Sequence, residues 1–294
     1  MDALPVSVIV PAADDPRIAE CIRSIDESVE LVIVFNKPTT LVREAVRRAT
    51  GRFHRLLTTE IEERNLGKAY NAGITVSTYP VVILMDSDCI FSPGTIMRLY
   101  KGTTMAPMCK GSVRFLHRGW TSRVIAMSRE YHTADVKNAY SPPLAFRKDI
   151  REMIGGYYFD NEIHWCEDHE FDQRVAHAQV EIRFDSQAIV EHPPLSILQD
   201  LRSSFRYGMG YRVGIQKGII LGGWIYGGRR SLRESLAIDF ARLGASPAYL
   251  LIVSRKKSML TALYMLAWMV AFASGYYFQM MTKHYPIADS ALHL

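Results

Sequence analysis

Val81-Val82-Ile83-Leu84-Met85 runs without a break into Asp86-Ser87-Asp88. Five apolar residues in a row, three of them β-branched, are too short for a helix and lack polar alternation. They read as a strand buried on both faces. Such strands belong to parallel sheets covered by helices, and ligands of those sheets gather at the carboxyl ends of the strands. Asp86 and Asp88 stand just beyond such an end. Two carboxylates two residues apart can reach one hard cation and, through it, phosphate oxygens. An Asp-rich turn has the same letters, so the pair takes its meaning from the rest of the chain.

Upstream, Val6-Ser7-Val8-Ile9-Val10 is a β-branched run stopped by Pro11, and Leu31-Val32-Ile33-Val34-Phe35 is a second one, stopped by Asn36-Lys37-Pro38. Helices are predicted over 16–27, 39–50 and 66–77. Strands alternating with helices predict a parallel sheet with both faces covered. Downstream, a strand is predicted at 111–116, a helix at 119–135, an apolar piece at Leu144-Ala145-Phe146 and a glycine turn at Ile154-Gly155-Gly156-Tyr157. A helix over 167–178 and short strands at 180–184 and 188–191 follow. No linker separates the halves, which predicts one shared sheet. Glu167 and Asp168 open the 167–178 helix. Acids are favoured there by the helix dipole, and a carboxylate facing a cleft also serves as a general base. His192 ends the last strand-like run.

The 294 residues carry 35 Lys+Arg against 30 Asp+Glu, a net +5, with 48% apolar residues. That composition excludes a disordered chain and a disulfide scaffold. Cys21, Cys89, Cys109 and Cys166 show no pairing or zinc spacing, which fits a reducing cytosol. The first residues lack the basic stretch of a signal peptide. Charge is segregated: residues 201–260 hold a net +9 and residues 1–200 a net −4. A basic block implies an anionic partner, whether lipid, phosphate or nucleic acid.

Together these pieces resemble an inverting, family-2-type glycosyltransferase of the GT-A fold, over residues 5 to about 212. Val6 to Pro11 resembles the family's opening strand. Asn65-Leu66-Gly67-Lys68-Ala69 and Asn71-Ala72-Gly73-Ile74 resemble its N-x-G-K-A…N-x-G-I helix. Asp86-Ser87-Asp88 resembles the D-x-D metal motif, and Gly155-Gly156-Tyr157 with Glu167-Asp168 the G-G-(F/Y)…E-D pattern. The resemblance implies an α/β, Rossmann-like, mostly parallel sheet with a nucleotide-sugar half (1–110), an acceptor half (111–200) and a C-terminal region (201–294). It also implies a nucleotide-sugar donor, most often a UDP-sugar, and Mn²⁺ or Mg²⁺ held by Asp86, Asp88 and His192. Asp168 would be the base, Glu167 its helper. Pro11, Asp14, Asn36, Lys68, Arg202 and Arg206 would line the nucleotide-sugar site. The acids usual at the end of the second strand are replaced by Phe35 and Asn36. Gln199-Asp200-Leu201-Arg202-Ser203 resembles the Q-x-x-R-W motif of processive synthases with Ser203 for the tryptophan, which points to transfer of a single sugar.

Arg202, Arg206 and Arg212 sit among Phe205, Tyr207 and Tyr211, a set suited to a diphosphate or lipid phosphate. Gly218 to Gly228 is apolar and glycine-rich, with Arg229, Arg230 and Arg233 after it. Arg255-Lys256-Lys257 precede 25 uncharged residues, Ser258 to Thr282. That length crosses a bilayer, lies in its interface, or forms a core or oligomer-contact helix. The reading is a transferase at the cytoplasmic face of the membrane, acting on a glycan or lipid-linked acceptor, with nucleic acid the least favoured partner. A nucleotidyl- or phosphosugar transferase and a non-catalytic membrane scaffold are the alternatives.

Overall fold

A computed structural model describes residues 3–133, 137–220 and 251–282 of the chain. Its strands are β1 (Val6–Ala12), β2 (Val29–Asn36), β3 (Phe53–Ile61), β4 (Val81–Leu84), β5 (Ile90–Phe91), β6 (Met108–Phe115), β7 (Leu144–Arg147) and β8 (Ile182–His192). Its helices are α1 (Ile18–Arg23), α2 (Thr40–Arg48), α3 (Leu66–Val76), α4 (Thr95–Met105), α5 (Trp120–Thr133), α6 (Ile150–Met153), α7 (Glu167–His177), α8 (Ile197–Lys217) and α9 (Met259–Thr282). All eight strands form one mixed sheet, β3-β2-β1-β4-β7-β6-β8-β5. The first four are parallel, and β7 joins β4 antiparallel. The architecture is the mixed α/β sheet expected from the sequence.

Side chains alternate across a strand, and the core divides accordingly. Val8, Val10, Leu31 and Ile33 pack on one face with α1, α2 and α4, through Ile18, Cys21, Val42, Ile96 and Leu99. Ile9, Val32 and Val34 pack on the other with α3 and α7, through Tyr70, Ile74, Phe171 and Val175. The four cysteines are free and buried.

Some elements depart from expectation. The helix predicted over 16–27 is confined to Ile18–Arg23, because Asp26 and Glu27 turn away to accept the backbone N–H groups of Gly94 (3.0 Å) and Met97 (3.1 Å). The strands predicted at 180–184 and 188–191 are one strand, Ile182–His192. Within it, Asp185 Oδ1 accepts the Gln187 N–H (2.9 Å). β3, β5, α4 and the short α6 are additional.

The described residues form two compact units, drawn from Met1–Arg114 with Thr133–Pro193, and from Phe115–His132 with Pro194–Pro286. The second holds α8 and α9, which run in the same direction. Tyr264 donates to Asp200, Ser204 to the carbonyl of Trp268 (2.7 Å), and Arg212 to the Tyr276 hydroxyl (3.1 Å), each pair 64 residues apart. A Cβ at Gly208 would stand 1.9 Å from the Phe272 carbonyl oxygen, and one at Gly275 would stand 1.9 Å from that of Phe205. Glycine at both places is what lets the backbones touch. Asp200, buried, is neutralised by Arg129 of α5 (2.7 Å). Leu260, Leu263, Val270 and Met281 of α9 are exposed. Residues 221–250, with most of the glycine-rich run and Arg229, Arg230 and Arg233, lie outside the described residues.

Candidate active site

The parallel strands deliver their carboxyl ends to one side of the sheet. Pro11 is buried in β1 opposite Val34. Asp86 leaves β4 and accepts a hydrogen bond from the Tyr70 hydroxyl of α3 (2.9 Å). Burial, and then the neighbouring Asp88, push its carboxyl up to about 7, while the Tyr70 bond pulls the other way. Antiparallel pairing of β5 with β8 sets Ile90 opposite Glu191, which carries His192 to the same place. His192 Nε2 is 3.6 Å from Asp88 Oδ2, and the ligand atoms of Asp88, Cys89 and His192 lie within 4.8 Å of one another. His192 Nδ1 is 2.8 Å from the Pro193 carbonyl oxygen. A carbonyl only accepts, so Nδ1 carries the proton; in the neutral tautomer that this allows, Nε2 turns its lone pair toward Asp88. A carboxylate and an imidazole with that tautomer fit Mn²⁺ or Mg²⁺.

Arg17, which the sequence reading passed over, lies at the same spot. It chelates Asp15, whose carboxyl burial would raise but whose bonds from Arg17 hold below the usual range, and its guanidinium reaches Asp88 Oδ2 at 3.4 Å. Asp14 is exposed and paired with Arg64 (2.8 Å), and Lys68 is paired with Glu63.

The second acid pair is mounted by α3. Asn65 caps that helix by accepting the Lys68 N–H (2.9 Å), and its own N–H is held by Asn36 Oδ1 (3.1 Å). Its side-chain amide donates to the carbonyls of Asn161 (3.2 Å) and Ile163 (3.5 Å). Asn71 takes the Phe159 backbone from both sides, donating to its carbonyl (2.8 Å) and accepting its N–H (3.1 Å). At Gly67 a Cβ would stand 3.2 Å from the Asp160 carbonyl oxygen and 3.4 Å from Glu167 Cβ. The N-L-G-K-A-Y-N stretch is therefore a clamp on the loop that leads into Glu167 and Asp168. Asn36 acts through that clamp.

Glycines 155 and 156, both at positive φ, bring Tyr157 back to α7. There its hydroxyl donates to Glu170 (3.0 Å) and its ring lies under the Arg174 guanidinium (3.8 Å). Glu167 is 7% exposed, and burial, then the charge of Asp168, push it up to about 8. Asp168 is pushed up by burial to about 6, with the His169 N–H on its Oδ1 (2.8 Å) opposing. Behind both acid pairs, Lys110 is buried in β6 and donates to the carbonyls of Tyr140 and Pro142 (2.9 Å). Burial pulls its ammonium down to about 8, against the negative charges of Asp168, Asp86 and Asp172. A lysine between Cys109 and Gly111 in an apolar strand was the available signal. Arg202 and Arg206 stand on α8, in the other unit.

A carboxylate–imidazole site at the end of β4 and buried acids at the head of α7 suit a reaction with an anionic leaving group and a hydroxyl nucleophile. Solved structures with this architecture include the mannosyltransferase PcManGT from Pyrobaculum calidifontis in complex with GDP-Man and Mn²⁺. It is 17% identical, with a TM-score of 0.62, over 97% of this chain and 89% of that one. S. aureus TarS residues 1–349 with UDP-GlcNAc are 14% identical, with a TM-score of 0.52, over 96% and 93%. Against another TarS structure (17% identity, TM-score 0.51), 72% of this chain covers 40% of that chain. No curated protein sequence matches. The fold is therefore GT-A.

Residues 7–104, from β1 through α4, match the sequence model of Glycosyl transferase family 2.

Proposed function

We propose that the chain is a metal-dependent, inverting glycosyltransferase that moves one sugar from a nucleotide-sugar, with a UDP-sugar as first candidate, to an acceptor hydroxyl. The observation that carries this reading is the separation of two acid sites. Asp86, Asp88 and His192 sit after β4 and β8, whereas Glu167 and Asp168 head α7. Asp88 and His192 would hold Mn²⁺ or Mg²⁺, with Asp86 toward the ribose or a metal-bound water; the ion supplies charge neutralisation for the departing diphosphate. Arg17 adds a fixed positive charge beside Asp88. Asp168, with a carboxyl near 6, is ionised at neutral pH and takes the acceptor hydroxyl proton. The acceptor oxygen bonds to the anomeric carbon as the carbon–oxygen bond to the diphosphate breaks on the opposite face, so the configuration inverts. Glu167, near 8, stays protonated at neutral pH and serves as a hydrogen-bond donor to acceptor or base.

Asp168→Asn keeps the shape and removes the base. It should bind nucleotide-sugar with metal as the parent does and lose transfer by about 10²–10⁴-fold. Near-parental turnover, or release of pyrophosphate in place of a nucleoside diphosphate, would contradict the assignment.

The same proposal places the enzyme at an anionic membrane surface, such as the cytoplasmic leaflet, near a lipid-linked or membrane-proximal acceptor. Of the described helices, α9 has the length and apolarity to cross a bilayer. Its middle lies alongside residues 200–212 of α8, which include Asp200, Arg202, Arg206 and Arg212. Each such charge costs about 2.5–3.5 kcal/mol at a bilayer centre. That favours α9 lying in the interface, its exposed apolar face inward and Arg255-Lys256-Lys257 at the headgroups. The chain should sediment with vesicles containing phosphatidylserine and less with neutral ones. Equal recovery with neither, or a stable dimer through α9, would remove this placement.

A further inference from the structure

Lys110 is 3% exposed, in a strand whose neighbours Cys109 and Gly111 are buried as well. Its backbone pairs with Leu144 in the β6–β7 ladder, and its side chain reaches the stretch that leads into β7. Pro142 and Pro143 have no N–H to give, which leaves their carbonyls to anchor them. The Gly111 N–H takes that of Pro143 (3.2 Å), and the Lys110 ammonium takes that of Pro142 (2.9 Å) together with that of Tyr140. The same stretch touches both acid sites. Ser141 Oγ donates to the Tyr70 hydroxyl (3.3 Å), which donates to Asp86 (2.9 Å). The Ala139 N–H donates to Asp172 of α7 (2.7 Å), and the Tyr140 hydroxyl lies 2.9 Å from Nδ1 of His169, the residue after Asp168.

Two carbonyls can be satisfied by a neutral amide or hydroxyl, and stripping water from an ammonium is unfavourable. A buried charge is kept where opposite charges face it. Around the Lys110 ammonium these are Asp168 and Asp172 of α7 and Asp86 beyond β4, with the Cys89 thiol near them, and Lys110 in turn acts on each of the three carboxyls. Around Asp168 the other groups are Glu167, Asp172 and the His169 N–H. We propose that Lys110 is a positioning residue for the base: its ammonium holds residues 139–142 across the two acid sites and stands as the fixed counter-charge of Asp168. This rests on Asp168 being the base. The competing reading is a lysine that only pins a proline-rich turn.

The test is a side-chain NMR titration of the full chain without divalent metal, with ¹³C in the aspartate carboxyls and in lysine Cε. Asp168→Asn and Lys110→Met each assign one signal by its loss, and each is the variant against which the other residue is read. In Lys110→Met the Asp168 midpoint should rise from about 6 by about one pH unit or more. In Asp168→Asn the Lys110 midpoint should fall from about 8 by a similar amount, because coupling between two groups is reciprocal. Lys110→Arg keeps charge and donors, and should leave Asp168 within about half a pH unit of the parent. The Asp168→Asn arm stands even where Lys110→Met fails to fold. A Lys110 midpoint unmoved in Asp168→Asn, or an Asp168 midpoint unmoved in a folded Lys110→Met, would overturn the counter-charge and leave the pinned turn. If both midpoints move while Asp168→Asn retains transfer, the base assignment falls and the counter-charge stands.

Discussion

At the amino ends of the parallel strands, Glu30 is buried and fully engaged. It accepts from Ser7 Oγ (2.7 Å), Thr78 N–H (2.8 Å) and Thr78 Oγ1 (2.6 Å), with Arg55 at 3.5 Å. At the carboxyl ends of the same sheet, Asp86 accepts one bond from Tyr70, with Asp88 beside it, and Glu167 stands next to Asp168. Burial raises the carboxyl pKa at both ends. At Glu30 the bonds from Thr78 and Ser7 and the charge of Arg55 more than offset it, and the carboxyl ends below its ordinary value. At Asp86 the bond from Tyr70 and at Asp168 the His169 N–H and the Lys110 charge oppose burial without overcoming it, and Asp86, Glu167 and Asp168 are all raised. One end of the sheet uses a carboxylate as a structural acceptor. The other holds carboxylates kept above their ordinary values by burial and by one another, as the proposed cation and base sites require.

The larger effect on folding should come from Glu30→Gln. It removes charge-assisted bonds without changing size and should cost about 1.5–3 kcal/mol in denaturant unfolding. A group with a lowered folded pKa stabilises above its unfolded value and loses that contribution as pH falls. The parent should therefore approach the variant below about pH 4.5, the ordinary Glu value. A variant as stable as the parent at pH 7 would erase the contrast. The smaller effect, of opposite sign, should come from Glu167→Gln. An acid with a raised folded pKa stabilises while protonated and loses that contribution as pH rises from its ordinary 4.5 toward about 8. Without divalent metal, the variant should melt roughly 2–4 °C above the parent at pH 8 and gain less at pH 5. A melting temperature lowered at pH 8 would mean that Glu167 is as well partnered as Glu30.

The chemistry-bearing letters were readable because they sit at ends of elements: Asp86 and Asp88 after a buried strand, Glu167 and Asp168 at a helix start, His192 at a strand end. What stayed hidden depends on partners remote in sequence. Asn65 and Asn71 act on carbonyls 88–98 residues away, and Lys110 on carbonyls 30–32 residues away. Nothing local marks a clamp, and nothing in His164-Trp165-Cys166 announces the positive φ of its last two residues. β3 escaped because His54 and Arg55 interrupt its apolar residues and much of its surface is exposed. α9 was legible as a long uncharged helix, but its in-step pairing with α8 was not.

The central claim is that Asp88 and His192 complete a cation site for a nucleoside diphosphate. Calorimetric titration of UDP, and separately GDP, into the parent and into Asp88→Asn, each with and without Mn²⁺, tests it most directly. The account predicts binding to the parent that depends on Mn²⁺ and is weakened about tenfold or more in Asp88→Asn. Equal affinity with and without metal, unchanged in the variant, would contradict it.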